Sequence, residues 1–213
     1  MPVTVSPVQI LRLAPNIRSS YRAAFEGGQA VLDRAGITDS PRRLAHFMAQ
    51  VLHESGGLTI QFENLNYSAE RLPVVWPKRF KPGGPLDAAD YAHNPEKLAN
   101  EVYGGRMGNT APGDGFTYRG RGLLQLTGKE SYQAATHDLR EIEPEAPDLV
   151  AEPDQAVSAG WCLQVAAYEW VAKGCNAPAD ADDVRRVTKL INGGLIGLAE
   201  RVEWLRRCRA VWS

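Results

Sequence analysis

Apolar residues recur every three or four positions through most of the chain, a period that predicts a mainly α-helical protein. Ser6-Pro7 opens a short helical pattern through Val8, Ile10 and Leu11 that ends before Pro15. Residues 16–35 give a second, with Ile17, Tyr21, Ala24, Phe25, Val31 and Leu32 at helical spacing and Gly27-Gly28 as a candidate break. Ser40-Pro41 starts a third, because the hydroxyl can cap free amides and a proline at the first helical position gives up no bond. Its buried stripe runs through Leu44, Phe47, Met48 and Val51, and Gly56-Gly57 offers a left-handed exit. Glu54 stands three residues after Val51 and continues that stripe. Desolvation at such a position disfavours the anion, which suits a group that must arrive protonated and give its proton away.

Beyond the two glycines, Leu58, Ile60 and Phe62 alternate with Thr59, Gln61 and Glu63, a period of two that predicts a short extended segment with Glu63 on its polar side. Two carboxyls in unlike surroundings make a candidate pair of proton handlers. Hydrolysis of a glycosidic bond asks for such a pair: an acid for the leaving oxygen, and a base or nucleophile on the other face of the sugar. The plainer alternative is that Glu54 ends a helix and pairs with an arginine, while Glu63 is simply exposed.

Residues 73–112 change texture, being dense in proline, glycine and asparagine with one helical run at about 95–103. They read as a small lobe or a set of cleft-lining loops, or else as an ordinary surface insertion. In residues 116–132, Arg119 and Arg121 sit among glycines, and Gln125 and Thr127, two apart, can point the same way from an extended strand. Neither phosphate-binding glycine pattern is met, since Gly120 and Gly122 lack a third glycine and Lys129 is followed by Glu130. Residues 141–153 are acidic and proline-rich and read as a loop. Residues 154–173 give a long helical pattern whose apolar face is most simply core. Asp182 or Asp183 starts a helix that Asn192-Gly193-Gly194 ends, and residues 198–212 form the last. The arginines at 201, 206, 207 and 209 read as a solvated face or as a contact for an anionic wall or membrane surface.

Composition narrows the picture. A chain of 213 residues suits one domain, or one domain with two lobes, and is long enough to bury a core without staples. Its formal charge of -1 gives no reason to expect nucleic acid as partner. Cys162, Cys175 and Cys208 are an odd number at irregular spacing, which suggests buried thiols rather than disulfides or a zinc site. His53-Glu54 lacks the second histidine of HExxH, and no metal or other cofactor is expected; His53 either supports Glu54 or is a packed core residue. The N-terminus does not show the pattern of a secretory leader, and no stretch approaches the ~18 apolar residues of a membrane span.

In order along the chain, AHFMAQVLHESGG, FENLNYSAERL, YRGRGLLQLTGKESY and INGGLIGLAERVEWL together resemble glycoside hydrolase family 19, most of all its bacteriophage endolysin branch. The resemblance runs from about Arg43 to the C-terminus. It implies a mainly α, lysozyme-like α+β fold with two lobes around a substrate groove, and inverting hydrolysis of β-1,4 bonds between N-acetylated sugars. It implies further that Glu54 is the general acid, that Glu63 activates water, and that Thr127 helps hold that water. Gln125 and Asn192 would bind sugar, Tyr118 and the RGRG glycines would line the groove, and Arg201 would complete the substrate-facing set, near the acid and supporting its geometry. Two departures stand out: Ser131 replaces the asparagine many relatives carry after the QLT motif, and Ile196 replaces an acidic residue that the plant chitinase branch has shortly after NGG. The expected protein is a monomeric endolysin of peptidoglycan without a separate wall-binding module. It would be held in the host cytoplasm until a holin releases it to the periplasm or cell wall. A chitinase, a non-catalytic sugar-binding module and a toxin delivered into competing bacteria are the alternatives.

Overall fold

The computed structural model describes residues 1–212, and they are mainly helical. The helices are α1 (Pro7–Leu13), α2 (Ser19–Glu26), α3 (Gln29–Arg34), α4 (Pro41–Glu54), α5 (Leu72–Val75) and α6 (Pro95–Tyr103). They continue as α7 (Asp114–Thr117), α8 (Lys129–Arg140), α9 (Cys162–Ala172), α10 (Asn176–Asp180), α11 (Val184–Asn192) and α12 (Leu198–Arg209). Strand structure among the described residues is confined to isolated bridges: Phe62 with Arg121, Phe80 with Leu86, and Arg121 with Leu126.

The capping signals act where the sequence places them. Ser6 caps α1 in a full capping box with Gln9, Ser40 accepts from the Arg43 amide at the head of α4, and Asp183 accepts from Arg186 at the head of α11. Gly27-Gly28 does separate α2 from α3. Residues 154–173 are not one helix, however: a 3-10 turn at Pro153–Val157 precedes α9, which begins at Cys162.

The extended segment expected at 58–63 is instead a turn. Gly56, Gly57 and Leu58 are successive left-handed residues, so the chain reverses as it leaves α4. Leu58 is driven into the core while Ile60, on the same side of the expected strand, is 42% exposed. The Ser55 hydroxyl donates to Val51 O at 2.6 Å and accepts from the Leu58 amide at 3.0 Å. From α2, Tyr21 donates its hydroxyl to Ile60 O at 3.0 Å. The first residue of extended pairing is Phe62, one position before Glu63.

Buried apolar residues gather in three clusters. The largest joins α1 to α4 with α9, α11 and α12; Phe47 of α4 meets Trp170 of α9 edge to face, ring centroids 5.5 Å apart. The broadest helix–helix interface is between α4 and α12. A second cluster, around Tyr132, Leu139 and Leu149, seats α8 against α9. A third, built on Leu65, Leu72, Phe80, Leu98, Ala99 and Val102, lies under the proline- and glycine-rich stretch, which therefore has apolar packing of its own. The three cysteines are free and buried, and burial pushes each thiol up to about 12. No helix among the described residues is long and apolar enough to cross a membrane.

Candidate active site

The last residue of α4 is Glu54, and its side chain is 18% exposed. The apolar stripe places it at the end of the largest core cluster, but the stripe does not complete its surroundings. Arg201, in the first turn of α12, is 1% exposed and donates from Nη2 to Glu54 Oε1 and from Nη1 to Gln50 Oε1. Glu54 therefore ends against a guanidinium, not in the wholly apolar setting the helical period suggests. Arg201 is not on a solvated face and, being buried, does not meet substrate; its part in the site is to hold Glu54 and Gln50. Arg206, Arg207 and Arg209 differ: Arg206 pairs with Glu203, Arg207 lies over the Trp204 ring, and Arg209 pairs with Asp182.

The Nε of Arg201 also reaches Ile196 O at 3.4 Å, and Asn192 Nδ2 donates to the same oxygen at 3.3 Å. One carbonyl thus ties Asn192, exposed at the end of α11, to the arginine that holds Glu54. The loop between them is pressed onto α4, since a Cβ at Gly197, where φ is +71°, would come within 2.4 Å of the His53 ring. Burial, and then the charge of Arg201, lower the basicity of the His53 imidazole, so it is a neutral packing surface for this loop.

Glu63 is held differently. Its Oε1 accepts from the Gly120 amide at 2.6 Å and its Oε2 from the Tyr103 hydroxyl at 2.7 Å. Its own amide donates back to Gly120 O at 3.0 Å. Both donors to the carboxylate are neutral. Burial, and then the negative charge of Glu63, push the Tyr103 phenol well above its ordinary value, so it stays a protonated donor through the working pH range.

Gly120 is where the predicted water-handling residues meet. A Cβ there would lie 3.0 Å from Gln125 Oε1, 3.2 Å from Thr127 Oγ1 and 3.3 Å from Glu63 Cβ. Gln125 and Thr127 do converge, but through a tight turn and not a strand: Arg121 bridges to Leu126, and Gln125 has a φ of +57°. Thr127 donates its hydroxyl to Gln125 O at 2.8 Å, which leaves its lone pairs free to accept. Tyr118 is not brought to this site. It is 5% exposed, packs edge to face on Tyr132 and donates to Val150 O at 3.1 Å, so it supports the turn from behind instead of lining a groove.

Three contributors escape the sequence reading. Tyr103 lies 40 positions from Glu63, Gln50 is one more residue of a helical face, and the Gly120 amide is backbone. Only the last had a signal, in the RGRG glycines. A cavity of about 190 Å³ lies between α8 and α9, lined by Leu126, Ser131 and Glu169 among others, and neither Glu54 nor Glu63 is in its lining.

The helical scaffold holds one carboxyl on a guanidinium and another on neutral donors, and comparison with known proteins gives its class. Chitinase C from Streptomyces griseus matches with a TM-score of 0.61 at 18% identity, over 98% of this chain and 92% of that one. A bacterial family 19 chitinase matches with a TM-score of 0.61 at 21% identity, over 98% and 95%. At these identities the likeness is one of fold. In sequence, a glycosyl hydrolase family 19 domain-containing protein of Haemophilus influenzae is 37% identical over 209 residues, 97% of this chain and 96% of its own length. The chain belongs to glycoside hydrolase family 19, and it is a glycoside hydrolase of that chitinase type. None of the protein-family models matches it.

Proposed function

We propose that the protein is an endolysin that hydrolyses β-1,4 bonds in the glycan strand of bacterial peptidoglycan with inversion, and so lyses a host cell. The observation that carries the chemistry is the contrast between Glu54 on the Arg201 guanidinium and Glu63 on two neutral donors. Glu54 gives its proton to the leaving glycosidic oxygen and becomes a carboxylate, and the guanidinium stabilises the charge that develops there. Water, accepted by Glu63 and held by Thr127, attacks the anomeric carbon from the opposite face. The proton it loses goes to Glu63, and its oxygen stays on the sugar. Gln125 and Asn192 bind the sugars on either side. No cofactor enters this scheme.

For the substrate, the support is the four-motif resemblance to the endolysin branch and the surface beside the site. Leu195 and Ile196, 40% and 79% exposed, stand next to Asn192, where the methyl of the lactyl ether on a muramyl sugar would find a partner. The competing reading is chitin, which the descriptions of the two similar structures favour. The protein would act as a monomer, stored in the host cytoplasm and released through a holin to the wall. Digestion of purified peptidoglycan and of chitin oligomers in heavy-oxygen water, read by mass spectrometry, tests this. The expected result is cleavage of wall strands with the heavy oxygen on the new reducing end. Cleavage of chitin oligomers alone would overturn the wall substrate, and binding of strands without cleavage would favour a sugar-binding module.

A further inference from the structure

The two arginines of the glycine-rich turn are employed differently, and the scheme above uses neither. Arg121 is 3% exposed and fully engaged: its Nε donates to Asp154 at 2.9 Å, and its Nη1 to Thr117 O at 2.5 Å and to the Tyr132 hydroxyl at 2.9 Å. Arg119 is half-buried and makes no ion pair among the described residues. Its guanidinium lies over two rings, 4.0 Å from the Phe116 centroid and 5.0 Å from that of Phe62, and it donates from Nη1 to Phe116 O at 2.8 Å. That bond leaves most of a five-donor fork to spare. Burial, and then the charge of Arg121, lower the basicity of Arg119, as befits a cation that has given up water without gaining a carboxylate. The rings offset part of that cost, but an uncharged side chain would pack on them more cheaply. Both arginines wall a cavity of about 650 Å³ that is also lined by Glu152 and Asp154. Asp154 is taken by Arg121, whereas Glu152 accepts only from the neutral Gln155 amide, at 3.2 Å, and has no cation among the described residues. One cavity therefore holds an unpaired cation and an unpaired anion.

We propose that this cavity binds the peptide stem carried by a muramyl sugar, with a carboxylate of the stem on Arg119 and its free ammonium on Glu152. The proposal rests on the reading of peptidoglycan as substrate and adds where the peptide goes. Charge selects the ligand class. Unpaired charges of both signs complement a zwitterion, and a stem of amino acids that includes a diamino acid is one, whereas an N-acetylated chitin chain has no ionised group to offer. A planar guanidinium whose face is fixed by rings presents its edge donors in the geometry of a carboxylate. The cavity is also in the right place. Arg119 directly precedes Gly120, whose amide holds Glu63, and Phe62, beneath the guanidinium, directly precedes Glu63 itself. A four-residue stem spans up to ~13 Å, so a stem on a sugar beside Glu63 has the length to enter a cavity that begins one residue away. Muramyl sugars alternate along the strand, and this stem belongs to a different sugar from the one whose ether faces Ile196.

The test compares three substrates: wall strands with their stems, the same strands stripped of stems by an amidase, and chitin oligomers. Arg119→Gln should raise KM on stem-bearing strands about 10-fold with kcat unchanged, and should alter neither constant on the other two. Glu152→Gln, at an exposed position that tolerates change, should raise KM on the same strands by less, and it carries the comparison should Arg119→Gln fail to fold. Equal losses on all three substrates would mean that Arg119 acts through Gly120 on Glu63, and would overturn the proposal. Independently of turnover, a free stem tetrapeptide containing a diamino acid, titrated into the unmutated protein, should shift the Arg119 Nε–H resonance saturably. The same peptide with its carboxylates amidated should not. No saturable shift, or an equal shift with the amidated peptide, also overturns it. If the unmutated enzyme cleaves chitin oligomers but not wall strands, the reading of the substrate fails, and the peptide titration alone decides whether the cavity binds a stem.

Discussion

The two halves of the candidate site are built on opposite plans. Glu54 ends a helix whose apolar stripe belongs to the largest core cluster, and it is gripped by one buried charged partner. Glu63 sits on irregular chain, beside the smallest cluster, and is gripped by two neutral donors, one from the end of α6 and one from the glycine-rich turn. An acid must be stabilised as it becomes an anion, so a fixed guanidinium suits it. A base must start as an anion and accept a proton, and neutral donors hold it without opposing that change. The difference also divides the risk: damage on the Glu54 side should appear as lost stability, and on the Glu63 side as lost rate.

The largest effect should come from removing either carboxyl. Glu54→Gln and Glu63→Gln should each lower kcat by about 10³-fold while leaving the circular dichroism spectrum unchanged. Full activity in either variant would remove that residue from the mechanism. The pairing also sets a distance: an oligosaccharide complex of an inverting enzyme should place the two carboxyls ~6.5 to 9.5 Å apart, and ~5 to 5.5 Å would mean a retaining pair.

Next is the anchor of the acid half. Arg201→Met leaves Glu54 and the buried Gln50 carbonyl without their donor, at a cost of about 3 kcal/mol, or a fall in Tm of roughly 6–12 °C for a chain of this size. Combined with Glu54→Gln, the loss should be less than additive, because the stranded charge is gone. A double variant as unstable as the sum of the two singles would mean that Arg201 stabilises the fold by packing alone.

How far these halves could be read beforehand differs as much as their construction. On the Glu54 side, the helix start at Ser40-Pro41, the period that leads to Glu54 and the NGG end of α11 are local signals, and each appears in the structure where the sequence puts it. The plainer reading, that Glu54 ends a helix and pairs with an arginine, is what the structure shows, but local pattern cannot say which arginine, and Arg201, 147 residues away, entered through family likeness. The other half was harder. Alternation at 58–63 looked like a strand because period-two patterns do not register three successive left-handed residues. Tyr118 was placed on the groove by the family resemblance, although its ring is buried. Helix α8 escaped notice because, of its twelve residues, only Tyr132, Thr136 and Leu139 are buried.

On the Glu63 side, Tyr103→Phe deletes one of two donors and keeps the ring that packs near Leu98 and Val102. A hydrogen bond to a charged acceptor is worth about 1.5 kcal/mol of stability, so Tm should fall by roughly 3–6 °C, while a base held by one donor instead of two should lower kcat by roughly 10-fold with KM nearly unchanged. A loss of Tm as large as that in Arg201→Met would break the division between a stability-bearing acid half and a rate-bearing base half.

The smallest effect expected is on substrate choice, and it belongs to neither carboxyl. Ile196 is 79% exposed, yet its carbonyl is fixed by Asn192 and Arg201, so its side chain is presented rigidly at the edge of the acid half. An exposed branched side chain on a fixed backbone contributes nothing to the core and can pack against an apolar group on the sugar. Ile196→Ser should therefore leave Tm unchanged and lower kcat/KM on muramyl-containing strands by about 10-fold, the scale of a few methylenes in a specificity contact. Chitin oligomers, which lack the lactyl ether, should lose little. Equal losses on both substrates would make Ile196 a general sugar contact, and the preference for wall over chitin would have to be sought elsewhere in the groove.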